Sequence, residues 1–480
     1  MNFIEKKYST FMNILLKVLL FLVILGSLAM CVLNFFHIPF IDIIISVLIT
    51  LLLFTIFASI FYFINKALNK GFSDKKLLII ILFFAFLLRL IWILAINVKP
   101  FSDFETILLS GQSFAAGNFS VFKGTSYLAR YPHLTITAIY FGLFAKLFKN
   151  VLMPIKIVNI ILSTISVYII YLISMELYKE KKKSINITYM AAIFPPFIFF
   201  NSVLCSENLA IPFFLGSLYL FILILKNKIS LLWIIASGVL LSIGNLFRMV
   251  APLIIVAYIF YILVYNLNKK GILISLLIVI SFAVPFYSTN ALLLKLNITE
   301  YSFWHGREPG ITSILKGTNI NSLGMWNVED SKIPDKYHFD YDKIQSASLA
   351  IIKERLTTTP FYKLAGFYIV KFIAQWSSGD FAGLFWATGV TNILSATFTM
   401  NTVLFFYSEV FYIILLLLVY KQLFRMKQEQ NKILNLLYII FCGFGLLYLI
   451  IEQQPRYGFI IAWVFLLISN PSFDLFKKKK

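Results

Sequence analysis

The chain is a succession of apolar tracts separated by short polar joints. Stretches such as LLIIILFFAFLL and FYIILLLLVY run without a single charge. A helix needs about 20 apolar residues to cross the hydrocarbon of a bilayer, and tracts of that kind recur along all 480 residues. Strands of a membrane barrel would alternate polar and apolar positions, and these tracts do not. The pattern therefore predicts an all-α polytopic membrane protein, a bundle of about 13–14 crossings by span length. Helices are predicted near 11–36, 40–64, 77–98, 152–178, 185–204, 207–225, 230–247, 250–267, 271–290, 433–451 and 457–470.

The polar joints divide into two kinds. One kind is short and basic: NKALNKGFSDKK, KEKKK, KNK, NKK, KQLFRMKQEQNK and the terminal KKKK. Cytoplasmic loops concentrate Lys and Arg, so these joints and both termini are expected in the cytoplasm of a multi-pass cell-membrane protein. The other kind holds nearly all the isolated acids and unclustered arginines: residues 99–130, CSENL, FRMVAP, the long polar stretch 291–360, and EQQPR. These joints are expected together on the outer face. Four regions follow: an N-terminal hairpin (1–76), a transmembrane module with its outer loop 99–130 (77–290), an outer loop or lid (291–360), and C-terminal helices (361–480).

One tract does not fit simple alternation. Between Arg130 and KEKKK the crossings must be odd in number, yet two apolar tracts lie there, near 131–149 and 152–178. The first ends in KLFKN and reads as a short amphipathic helix that does not cross. The same ambiguity touches 361–400, where QWSSGD interrupts the apolar pattern. Inside the first outer loop, DFETILLSGQSFAAG places Phe104, Ile107, Leu108 and Phe114 near one helical face. That face suits the membrane interface. Ser102 precedes it as a candidate N-cap, so Asp103 also reads as part of a helix start.

Composition sharpens the picture in two places. Lys and Arg number 42 against 21 Asp and Glu, a net charge of +21. The excess sits in the short basic joints, which makes it a topology signal and excludes a nucleic-acid-binding surface. Cys31, Cys205 and Cys442 lie scattered in apolar surroundings and form neither a disulfide framework nor a metal motif. Abundant Ile, Lys, Asn and Phe suggest an AT-rich, bacterial genome.

The order of the outer segments resembles the GT-C glycosyltransferases. More narrowly it is similar to the bacterial enzymes related to protein O-mannosyltransferases and aminoarabinose transferases. The matching features, in order, are KPFSDFE, ARYPH, PPFIFFNSVLCSENLAIPFFLGSLYLF, GNLFRMVAP, GTNINSLGMWNVED and EQQPRYGF. The resemblance implies an inverting transferase of the cell envelope. It would move a sugar from a polyprenyl-phosphate carrier, such as undecaprenyl phosphate, to an acceptor hydroxyl on the outer face. The acceptor would be a glycan, a teichoic acid, a lipid or a protein.

By that resemblance Asp103 matches the first-loop acid that acts as general base. Glu207 is the second catalytic candidate, and it also suits the first turn of the helix it opens. The leaving group is a lipid phosphate, so guanidinium groups aimed at its developing charge are expected. The candidates are Arg248, Arg130, His133, Arg307 and Arg456, with Lys99 and His305 nearby in sequence. Glu105, Trp326, Asn327 and Asp330 are candidates for holding sugar or acceptor. Arg89, deep in an apolar tract, is expected to face a partner in the bundle. No metal-ligand motif appears and no cofactor is required by this reading, although Asp103 and Glu207 would suit a shared divalent ion. A transporter or flippase of lipid-linked sugars, and a polymerase or ligase of lipid-linked glycans, remain the alternatives.

Overall fold

The computed structural model describes residues 3–37, 40–96, 98–389, 396–425 and 432–471, and among them no strand occurs. The long helices follow the apolar tracts closely. They are α1 (Phe3–His37), α2 (Phe40–Asn69), α3 (Asp74–Ala95), α4 (Asp103–Ala115), α5 (Thr135–Leu147), α6 (Leu152–Tyr178), α7 (Lys181–Ala192) and α8 (Glu207–Leu225). After these come α9 (Trp233–Phe247), α10 (Ala251–Tyr265), α11 (Lys269–Lys295), α12 (Tyr341–Thr358), α13 (Phe361–Trp376), α14 (Ala396–Arg425) and α15 (Leu434–Ile450). Two of them, α6 and α8, coincide with the predicted limits.

The all-α polytopic architecture stands, but the number of crossings falls short of 13–14. Among the described residues seven helices are long and apolar enough to cross a membrane, or eight if α7 and its bent continuation to Ser202 count as one span. Three shorter apolar helices are α9, α10 and α15. The remaining tracts are used differently. Helix α5 has 13 residues, too short at 1.5 Å per residue to span the hydrocarbon. It lies against α4: a Cβ on Gly111 would sit 2.5 Å from the Ala138 carbonyl oxygen, and one on Gly142 2.6 Å from that of Gly111. The expected helix at 457–470 is instead a 3-10 stretch, Pro455–Ile461, followed by Trp463–Ile468. This segment is buried in protein rather than lipid-facing. The lid is not wholly irregular either, since α12 is an 18-residue polar helix.

The outer surface of the bundle is apolar. On α2, Phe40, Leu48, Leu51, Leu52 and Phe63 are exposed, as lipid-facing residues should be. The interior is built on α7, α8, α15 and Trp463–Ile468, which are nearly all buried. At one end the basic joints pair with acids and amides of neighbouring helices. Lys181 meets Asp74 at 2.9 Å, Lys228 meets Glu176 at 2.7 Å, and Lys432 meets Glu5 at 2.6 Å. The isolated acids and arginines gather at the other end.

Arg89 explains how a charge survives inside this bundle. It is fully buried, and among the described residues it forms no ion pair with an acid; its partners are carbonyls and a hydroxyl. In a continuous helix the N–H groups of residues 195 and 196 would bond the carbonyls of residues 191 and 192. Both positions are proline, so those carbonyls lose their donors. Arg89 donates to Ala192 at 3.0 Å and Ala191 at 3.4 Å, and also to Ala85 and to Ser163 Oγ. Beyond the break, Trp92 donates to the Phe199 carbonyl, and Asn159 to those of Asn201 and Val203. Side chains thus replace the backbone ladder and fix the path into Glu207. Replacing Arg89 with Met should cost on the order of 2–3 kcal/mol of stability through two orphaned carbonyls. Thermal unfolding of the purified protein should show a clear drop, with Arg89→Lys recovering only part of it.

Candidate active site

The joints that carry the isolated acids and arginines converge at the end of the bundle away from the basic loops. Glu207 opens α8 and is 1% exposed. Its approach is fixed by Asn208, which donates to the Phe200 and Val203 carbonyls at 2.7 and 3.0 Å. Arg248 ends α9, and the following chain is turned into α10 by Asn245, which accepts from the Ala251 N–H at 3.0 Å. Arg248 and Glu207 face each other at 3.6 Å, and the guanidinium lies over Tyr457. Burial disfavours the charge on Arg248, but the Glu207 carboxylate outweighs it and holds the arginine pKa above its ordinary value.

Two further ion pairs tie the lid to this end. Arg130 donates from Nε and an Nη to one oxygen of Glu308 at 3.0 and 2.7 Å, while Thr312 occupies the other at 2.8 Å. Lys316 lies 3.5 Å from Glu452. The lid root is stitched to the first loop by the Arg307 N–H on the Ala129 carbonyl. Lys371 from α13 bonds the carbonyls of Gly317, Leu449 and Ile451.

Asp103 and Arg456 take no part in these pairs. Asp103 and Arg456 have no opposite charge within 4.0 Å among the described residues. Arg456 is 5% exposed, and its Nε has no hydrogen-bond partner. Aromatic faces hold it instead: its guanidinium lies 4.8 Å from the rings of both Phe104 and Trp386 and 5.5 Å from Tyr457. Phe104 follows Asp103 directly, so the same turn supplies the acid and a wall of the arginine box. Tyr127 links the two. Burial and then the nearby Asp103 carboxylate push the Tyr127 phenol upward, while Arg456 pulls the other way.

Ser102 is not the expected cap. It sits at φ 56°, ψ −133°, with no side-chain cap bond. A non-glycine residue there is strained, and the strain falls on the residue before the candidate base.

The other candidates scatter. Glu105 is exposed and lines a separate cavity of about 320 Å³ with Lys99, Gln112 and Lys149, on another face of α4 from buried Phe104. Arg130 is already paired with Glu308. The buried Nε of Arg307 has no hydrogen-bond partner among the described residues, and His305 stacks on Tyr341 at 4.4 Å. Asp330 is 2% exposed; Arg355 donates to both its oxygens, and Asn319 and Asn327 donate to one of them. Burial opposes its ionisation, and those hydrogen bonds outweigh it, holding the carboxyl below its ordinary range. Asn327 caps the short helix Val328–Ser331. Trp326 is exposed at the lid tip. Among the described residues no group of three or more His, Cys, Asp or Glu is placed to hold a metal ion.

Sequence reasoning missed Tyr127, Trp386, Glu308 and Lys316. Glu308 was visible beside Arg307 in FWHGREPG and Tyr127 lay in the first loop, but Trp386 carried no local signal. It comes from Gly383–Thr388, some 280 residues from Phe104.

Residues 135–288 match the family model described as dolichyl-phosphate-mannose-protein mannosyltransferase. Over that stretch, about a third of its length, the chain is similar to that mannosyltransferase family. The match covers α5 to α11, including Glu207 and Arg248, and stops short of Asp103 and Arg456. Among solved structures the chain is similar to the archaeal oligosaccharyltransferase AglB from Archaeoglobus fulgidus, in complex with an inhibitory peptide and a dolichol-phosphate. The identity is 13% and the TM-score 0.45, over 84% of this chain and 50% of that one. The chain thus spans half the length of that protein. No curated protein matches it.

His133 lies beside Arg248, half-buried. Burial, and then the Arg248 charge, lower its pKa from the ordinary 6.5 to about 4. Between those values the unfolded chain binds a proton that the folded chain refuses. The contribution is present in full above about 6.5 and is lost as pH falls towards 4. His133→Gln should flatten this part of the acid-side loss of thermal stability, read as the unfolding midpoint against pH.

Proposed function

We propose that this protein is a glycosyltransferase that moves a sugar, with inversion, from a polyprenyl-phosphate-linked donor to an acceptor hydroxyl at the outer face of the membrane. One observation carries the reading: at the polar end of the bundle, ion pairing leaves Asp103 and Arg456 unmatched, with Tyr127 between them. The acceptor O–H gives its proton to Asp103 as its oxygen bonds to the anomeric carbon. The bond from that carbon to the phosphate oxygen breaks, and its electron pair leaves on the carrier phosphate. Arg456 meets that growing charge with a free N–H, in a dry aromatic box where such an interaction is strong. Arg248 adds a second positive group, its long contact with Glu207 leaving room for a phosphate oxygen. Tyr127 orients Asp103, and Glu207 steadies Arg248.

Support for the outer face comes from charge. The basic joints, with their Lys181–Asp74, Lys228–Glu176 and Lys432–Glu5 pairs, lie at the opposite end, which the positive-inside rule puts in the cytoplasm. The matched family's printed description supports a lipid-phosphate donor.

The test is transfer by purified protein from a panel of polyprenyl-phosphate sugars to hydroxyl acceptors. Asp103→Asn should lower turnover by about 10²–10⁴-fold, the usual worth of a general base, and Arg130→Ala should lower it far less. Full activity in Asp103→Asn would remove the base. No transfer with any donor, together with movement of lipid-linked sugar between vesicle leaflets, would make the protein a transporter.

A further inference from the structure

The lid carries its apolar residues on the wrong side for a protein core. Within six residues at its tip, Leu323, Met325, Trp326 and Val328 are 37%, 42%, 54% and 53% exposed. Small monomer surfaces scatter single exposed apolar residues, but four in one short stretch mark a contact surface. The tip is not loose. Asp330 gathers Asn319, Asn327 and Arg355 behind it. The Gly324 N–H donates to the Asn319 carbonyl, and the Gly324 carbonyl accepts from the Gln453 N–H at 2.8 Å. Gly324 adopts φ 74° and rests on Lys371, where an added Cβ would meet Cε at 2.7 Å. The polar side of the loop is fixed inward, and its apolar side is held outward.

What surrounds the tip names its partner. Lys371 is flanked on α13 by Ile369 and Val370, both exposed. Its amino group bonds the Ile451 carbonyl, next to exposed Ile450 at the end of α15. Gly317 also packs on the Ile450 and Ile451 backbone. The tip therefore continues the lipid-facing surface of α13 and α15 just where α15 ends. Trp and Tyr collect at that height in membrane proteins because an amphipathic ring suits the headgroup region. A second chain is a poorer fit. Four half-exposed side chains offer roughly a few hundred Å², below the roughly 800 Å² per partner of a stable protein interface.

We propose that residues 323–328 are an interfacial membrane anchor, with Trp326 and its apolar neighbours seated in the headgroup–acyl boundary so that the bilayer itself holds the lid over the end of the bundle. The anchor does not depend on the reaction assigned above.

The experiment uses the full-length protein in phosphatidylglycerol liposomes with bromines at a shallow or a deep acyl position. The Trp326 signal is the tryptophan emission lost in Trp326→Phe. That signal should be blue-shifted, lose most of its intensity to shallow bromines and less to deep ones, and resist aqueous iodide. A Val328→Trp probe in the Trp326→Phe background should report the same depth, independently of any local effect of one substitution. A signal quenched by iodide and untouched by bromolipid would place the tip in water and overturn the proposal. One shielded from both quenchers would place it against protein, this chain's own site or a second copy, and would overturn it equally.

Discussion

A charge at the edge of a hydrocarbon core must be matched, and the polar end of this protein is organised by that constraint. Removing one partner of a buried pair leaves an uncompensated charge, at a cost far above that of a surface pair. Glu207–Arg248, Glu308–Arg130 and Glu452–Lys316 meet the requirement. Each joins segments distant in sequence, so the same contacts that neutralise charge also close the first loop, the lid and the C-terminal helices around one point. Asp103 and Arg456 stand at that point without ionic partners. The cation is tolerated because rings of Phe104, Trp386 and Tyr457 face it, and cation–π contact is strongest when desolvated. The acid is tolerated because it is only partly buried.

The same economy of polar groups appears deeper in the bundle. The two prolines after α7 create the bend that lets Glu207 start a new helix at the site, and they strip two carbonyls of their donors. Arg89 restores what the prolines remove. A buried guanidinium that looks functional in sequence is therefore a structural replacement for two backbone N–H groups. The active end depends on it indirectly, because the path from residue 195 to residue 207 follows from the break.

Much of the fold was legible because hydrophobic tracts report helices directly. The limits of α6 and α8 were read to the residue, and α5 was rightly kept from crossing by its length and its KLFKN end. The failures have a common cause. Tract length cannot tell a helix that faces lipid from one buried in protein, so Pro455–Ile468 was counted as a crossing although Gly458 packs tightly on Phe381 and Trp376. In the site, the acids and arginines at helix ends were visible as types out of place. What sequence could not supply was pairing. Arg130 and Arg456 look equivalent until Glu308 is seen on one and an aromatic box on the other. Asp330 reads as a sugar ligand in sequence, and only the structure shows three donor residues on its carboxylate.

The central claim is a division of labour: Arg456 holds the carrier phosphate, and Asp103 does not. The most direct measurement is binding of the product-like carrier, polyprenyl phosphate, to purified protein, compared among wild type, Arg456→Gln and Asp103→Asn. The account predicts that Arg456→Gln weakens binding at least tenfold, about 1.4 kcal/mol, while Asp103→Asn binds as tightly as wild type or more tightly. Equal binding by wild type and Arg456→Gln, with the protein folded, would contradict it.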